Sequence, residues 1–203
     1  MQAGLHHNRM KPPIDETALQ NKFTIVLIGM MGAGKSSVGV RLAQRLKLPF
    51  FDSDHEIEKA AGMPAGELFQ RHGVDSFREG EHRVIRRLLD GPPHILATGG
   101  GAITTAATRT LIKEKSVSIW LQADPDVLLR RATRRNTRPL LAVDDPEATL
   151  RQLMAERQQF YAAADIHVES QPGPHKNTVD FIVDRLLEYL KDSDHKNAEG
   201  INS

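Results

Sequence analysis

The chain has 203 residues, 39% of them hydrophobic and 26% charged, with a formal net charge of +1. That length suits one well-buried domain and is short for two, and the balanced charge gives no global attraction to nucleic acid or an anionic membrane. The chain has no cysteine, which excludes disulfides, thiolate metal sites and a cysteine nucleophile and fits a reducing, cytoplasmic setting.

The opening stretch MQAGLHHNRMKPPIDETALQ has no apolar core to serve as a secretory signal, and residues 1–21 read as a flexible tail. The first strong element is the apolar run at 23–28, FTIVLI. Extended to residue 31, it still falls short of the ~18 residues of a membrane span. It leads directly into GMMGAGKSS, where Gly29, Gly34, Lys35 and Ser36 fit the pattern G-x-x-x-x-G-K-[ST]. Glycines let the backbone turn and approach a phosphate closely. The N–H groups of Gly32, Ala33, Gly34, Lys35, Ser36 and Ser37 can then cradle the anion at the positive end of a helix predicted over 35–46. Lys35 is placed for the β- and γ-phosphates of a nucleotide, and the Ser36 hydroxyl for Mg²⁺. The plain alternative is a glycine-rich strand-to-helix turn.

A second apolar run, 48–51, ends in DSDHE. Asp52 and Asp54 lie two residues apart and share one side if the chain stays extended, so one can sit near a metal while the other meets a second ligand. Against this stands the capping-box spacing of Ser53 and Glu56, which would make the acids a mere helix start. Helical patterns follow at 54–61, 65–71 and 76–89; the last carries Arg78, with Glu81 three residues on and able to hold it in place. The third strand, 95–97, runs into TGGGA, where Gly99, Gly100 and Gly101 cost conformational entropy to order. Close approach of backbone N–H groups to a ligand is one compensating use; a flexible turn is the other reading.

Beyond these lie a helix at 105–112, a strand at 117–121 and a helix at 125–134. Five arginines then fall between Arg130 and Arg138, ahead of an irregular proline-bracketed stretch. A lid that brings cations over a transferring phosphoryl group and excludes water has this pattern. A solvated charge run or an RNA-contacting patch shares it. A helix at 146–163 bearing Arg157, a strand at 166–168, a helix at 178–190 and a polar tail at 192–203 complete the chain. The nine histidines are scattered without metal-ligand spacing.

Five short apolar runs alternating with amphipathic helices predict one α/β domain with a parallel sheet covered on both faces. Parallel strands joined by right-handed crossovers end at one edge, where ligands bind in open α/β sheets. The first three strands end in GMMGAGKSS, DSDHE and TGGGA, so these clusters are expected to meet in one crevice.

Assembled, the motifs resemble those of the shikimate kinases. GMMGAGKSSVG, FFDSD, FREGE, TGGGA, RPLL and LMAERQQFY occur in that family's order and approximate spacing, across roughly residues 23–190. The resemblance implies a three-layer α/β/α fold of the P-loop, nucleoside-monophosphate-kinase-like type, with five strands in the order 2-3-1-4-5. It implies one kinase domain over 22–191, with a substrate-binding helical segment at about 54–90 and a lid at about 134–147. The implied reaction is ATP- and Mg²⁺-dependent phosphorylation of the 3-hydroxyl of shikimate by a cytoplasmic monomer with no nucleic-acid or membrane partner. By match to the family motifs, Asp54 would hold the reacting hydroxyls, Arg78 and Arg157 the acceptor carboxylate, and Gly99, Gly100 and Gly101 would donate N–H groups to it. Asp52 and Ser36 would organise Mg²⁺ and Lys35 the phosphates, Arg138 would be the lid arginine on the transferring group, and Arg131 would lie against adenine, with Arg130 and Arg134 as alternatives. The stretch RHGVDSFRE departs from the family pattern at Val74, where an acidic residue is expected. Competing readings are another small-molecule P-loop kinase, such as a gluconate or nucleoside-monophosphate kinase, and a nucleotide-dependent module contacting RNA.

Overall fold

The computed structural model describes residue 19 and residues 22–133, 145–170 and 175–199. The sheet is built from β1 (Thr24–Ile28), β2 (Phe50–Asp52), β3 (Ile95–Ala97), β4 (Ser116–Gln122) and β5 (Ile166–Glu169). The strands pair in the order β2-β3-β1-β4-β5, every pair parallel. This is the order expected from the family resemblance. β1 lies at the centre with all five residues buried, which is why it reads as a continuous apolar run. At the edge, β5 alternates, burying Ile166 and Val168 and exposing His167 and Glu169.

The helices are α1 (Lys35–Leu46), α2 (Ser53–Ala61), α3 (Ala65–Leu89), α4 (Ala106–Lys115), α5 (Pro125–Thr133), α6 (Pro146–Tyr161) and α7 (His175–Glu199). α1 packs against α7 and β3, α4 against α3 and β4, and α7 also against β5. One core runs through these layers, with Ile25, Leu27, Leu42, Leu96, Ile119 and Leu186 fully buried. Leu19, upstream of the first strand, is also fully buried in it; residues 1–18, 20 and 21 of the expected tail lie outside the described residues.

Several elements differ from their predicted bounds. β2 starts at Phe50 and not at residue 48, because the Leu48 N–H closes the end of α1 on the Ala43 carbonyl and only Pro49 begins the bonding to β3, through Ile95 N–H. The two helices predicted at 65–71 and 76–89 are present as the two halves of α3, which meet at a kink at Gly73, whose φ 78° and ψ 174° are not helical. α7 continues past residue 190 through 192–199, a stretch expected as tail. Among the described residues no helix is long and apolar enough to cross a membrane.

Candidate active site

The loop after β1 folds as a phosphate cradle because two of its glycines occupy places no other residue fits. Gly29 has φ 141°, and a Cβ there would stand 2.5 Å from the Leu121 carbonyl oxygen; at Gly32, φ 83°, it would stand 2.8 Å from that of Leu128. The loop is thereby seated on β4 and α5 while its backbone turns into the first turn of α1. Lys35 is buried to 9% exposure, and its Nζ donates to the Gly29 and Met30 carbonyls at 2.8 and 2.9 Å. The ammonium therefore sits across the loop and not out in solvent.

The next strand end locks onto this loop. Asp52 Oδ2 accepts from Ser36 Oγ at 2.6 Å, and its Oδ1 accepts from the Asp54 N–H at 3.1 Å. One carboxylate thus caps α2 and holds the loop serine. Asp52 performs the capping that the Ser53–Glu56 spacing suggested for Ser53. Ser53 has another use: fully buried, its Oγ accepts the Gly99 N–H at 2.9 Å.

The glycine turn after β3 is correspondingly well tied. Thr98 donates through its N–H and its hydroxyl to the Leu27 carbonyl, at 3.1 and 3.2 Å. The Gly100 carbonyl accepts from Arg157 Nη1 at 3.0 Å and from Tyr161 Oη at 2.5 Å. The Gly101 carbonyl accepts from the Thr104 hydroxyl at 2.7 Å. The Gly99 N–H is used internally; among the described residues the Gly100 and Gly101 N–H groups have no protein acceptor.

Two arginines come to this turn from distant helices. Arg78, on α3, lies so close to Gly101 that a Cβ there would collide with its guanidinium. Its Nη1 donates to Glu81 Oε2 at 2.5 Å. Glu81 is 1% exposed, and its other oxygen has no hydrogen-bond partner among the described residues. Burial, which outweighs the Arg78 charge, pushes its carboxyl up to about 7, with the nearby Asp54 charge adding to the rise. Arg157, on α6, is 6% exposed.

These groups open onto one cavity of about 410 Å³. Its wall includes Ser36 and Asp52 from the phosphate side, Asp54 and Arg78 from the helical segment, the three glycines, and Arg157. A cleft that joins a phosphate cradle to a carboxylate and two guanidinium groups can hold a small hydroxylated acid beside a polyphosphate. Hard oxygen donors at Ser36 and Asp52, already in contact, suit Mg²⁺, which takes few protein ligands when phosphates supply the rest. Among the described residues no cluster of three or more His, Cys, Asp or Glu forms a self-sufficient metal cage.

Arg131 is half-buried on α5 and points Nη1 at the Gly32 carbonyl at 3.5 Å, while Arg130 is exposed. Arg138, Arg134 and the rest of the expected lid up to residue 144 lie outside the described residues. Sequence reasoning missed Tyr161, whose spacing of four from Arg157 on one helix was the available signal.

The shikimate kinase family profile matches residues 31–191. A shikimate kinase of Bradyrhizobium diazoefficiens is 51% identical over 88% of this chain and 86% of its own length. One from Rhodopseudomonas palustris is 55% identical over 82% of each chain. Among solved structures, the shikimate kinase of Acinetobacter baumannii in complex with shikimate superposes with a TM-score of 0.82 at 36% identity, covering 85% of this chain and 97% of that one. The chain belongs to the shikimate kinase family.

Proposed function

We propose that the enzyme transfers the γ-phosphoryl group of ATP to the 3-hydroxyl of shikimate, giving shikimate 3-phosphate and ADP, and that each residue of the cleft takes the following part. Asp54 orients the acceptor hydroxyl and accepts its proton as the new P–O bond forms. A carboxylate is a weak base, but the loose transition state of phosphoryl transfer needs orientation more than early deprotonation. Arg78 and Arg157 grip the acceptor carboxylate with their planar donor sets, and Glu81 holds Arg78 in register. The Gly100 and Gly101 N–H groups meet the bound acid. On the other side, Lys35 and the loop N–H groups of residues 32 and 34–37 hold the phosphates, while the Ala33 N–H closes the loop on the Met30 carbonyl at 3.2 Å.

Ser36 and Asp52 would hold Mg²⁺, which when bound neutralises charge on the phosphate oxygens. Arg138 would reach the transferring group and Arg131 the adenine. The activity is placed in the cytoplasm, in keeping with a cysteine-free chain.

The observation that carries this reading is the single cavity whose wall runs from Ser36 and Asp52 to Asp54, Arg78 and Arg157. An ADP-release assay across shikimate, gluconate and nucleoside monophosphates tests it. Turnover with shikimate at least about a hundredfold above the others is expected, because a site built for paired polar groups rejects analogues that leave them unpaired. Preference for a nucleoside monophosphate would overturn the assignment.

A further inference from the structure

Three consecutive glycines are entropically costly to order, yet this turn must present two N–H groups to the acceptor in a fixed direction. We propose that Ser53 and Tyr161 are positioning residues for the acceptor, clamping the glycine turn from α2 and α6 so that Gly100 and Gly101 are held in place. The inference rests on the assignment of this cavity to the acceptor.

Neither side chain belongs to the cavity wall, so neither acts by touching the acceptor. Ser53 is fully buried and takes the Gly99 N–H at 2.9 Å. Tyr161, 2% exposed, takes the Gly100 carbonyl at 2.5 Å. The two bonds fix the Thr98–Gly99 peptide through its N–H and the Gly100–Gly101 peptide through its C=O. The second carries the Gly101 N–H, and the Gly99–Gly100 peptide with the Gly100 N–H is held between them. The phenol ring is itself held, stacked on Trp120 with centroids 5.8 Å apart and planes 21° apart, and its hydroxyl also approaches Met30 Sδ at 3.6 Å. Burial pushes the phenol up to about 12, so Tyr161 keeps the proton it donates.

Arg157 shares the Gly100 carbonyl at 3.0 Å, but its guanidinium also has to serve the acceptor carboxylate. When that group turns to the acceptor, Tyr161 is the donor that keeps the carbonyl in place. This division of labour explains why a second donor stands on the same oxygen.

Steady-state kinetics of Ser53→Ala, Ser53→Thr and Tyr161→Phe test the clamp, with the unmodified enzyme as reference. Loss of one such hydrogen bond predicts a KM for shikimate raised about three- to tenfold in Ser53→Ala and Tyr161→Phe. The KM for ATP and kcat stay within about twofold, because neither substitution removes a hydrogen bond to the phosphate-loop backbone or to Lys35, and the Tyr161 contact there is only to the weakly accepting Met30 thioether. Ser53→Thr, which retains the hydroxyl, returns the shikimate KM towards the reference. An unchanged shikimate KM in both deletions overturns the inference, as does a parallel rise in both KM values that Ser53→Thr does not reverse. A Tyr161→Phe protein that does not fold leaves the Ser53 pair to decide. An unmodified enzyme inactive on shikimate would instead overturn the functional reading.

Discussion

Glu81→Gln isolates the consequence of burying a carboxyl beside the acceptor site. The folded state holds a proton on Glu81 that the unfolded chain releases between pH 4.5 and about 7. The resulting stabilisation is fully present below 4.5, drains as pH rises, and is gone above about 7. At about 1.4 kcal/mol per tenfold change in proton affinity, moving the group from 4.5 to about 7 is worth about 3 kcal/mol. For a chain of this size that corresponds to a change in Tm of about 6–12 °C. Glutamine keeps the shape and does not titrate. Scanning calorimetry of both proteins from pH 4.5 to 8 should therefore show the Tm of the variant gaining on the parent by about that amount as pH rises. His94 contributes the opposite slope, since burial lowers its imidazole from 6.5 and stability falls as pH drops below that value. Both proteins carry His94, so it cancels in the difference. Above about pH 7, where the parent's Glu81 is ionised, the variant deprives Arg78 of a charged anchor, so the shikimate KM measured at pH 8 should also rise while the ATP KM holds. A Tm difference that stays constant across the pH range would refute burial as the dominant influence on Glu81.

Gly101→Ala places a methyl group against the Arg78 guanidinium; the arginine must swing away, and an acceptor KM raised about tenfold with an unchanged ATP KM is expected from steady-state kinetics. Asp54→Asn should lower kcat by about two orders of magnitude or more, the usual contribution of a positioned base, while calorimetric ATP affinity stays within about threefold; a pure ATP-binding defect would remove Asp54 from the acceptor side. Leu19→Ala, at a fully buried core position, should cost about 2–5 kcal/mol in urea unfolding, and a cost under about 1 kcal/mol would show that the segment before β1 adds nothing to the core.

The legible parts of the site were those written in consecutive residues. GMMGAGKSS after an apolar run specifies a cradle because the turn, the bare N–H groups and the lysine all belong to one short segment. The same holds for Asp52 and Asp54 at the end of β2 and for the glycine triplet at the end of β3. Parallel strand direction then brings the three ends to one edge, which is why the crevice was predictable without coordinates. Element bounds were less legible where a neighbour decides them, as at Pro49, whose pairing to Ile95 opens β2 only after α1 has closed. Gly73 was legible as punctuation, and α3 kinks there because its backbone leaves the helical region.

By itself, then, the sequence determined the order of elements, the phosphate loop and the residue types at the carboxyl edge, because these follow from period, turn chemistry and local backbone geometry. Tertiary structure alone decided that Arg78 and Arg157 share a cavity with Asp54, that Tyr161 reaches a carbonyl 61 residues away, and that Glu81 is buried deeply enough to hold its proton near neutrality. Burial and contact between distant segments are properties of how layers pack. A carboxylate has the same letter in water and in a core, and only its surroundings set the cost of its charge.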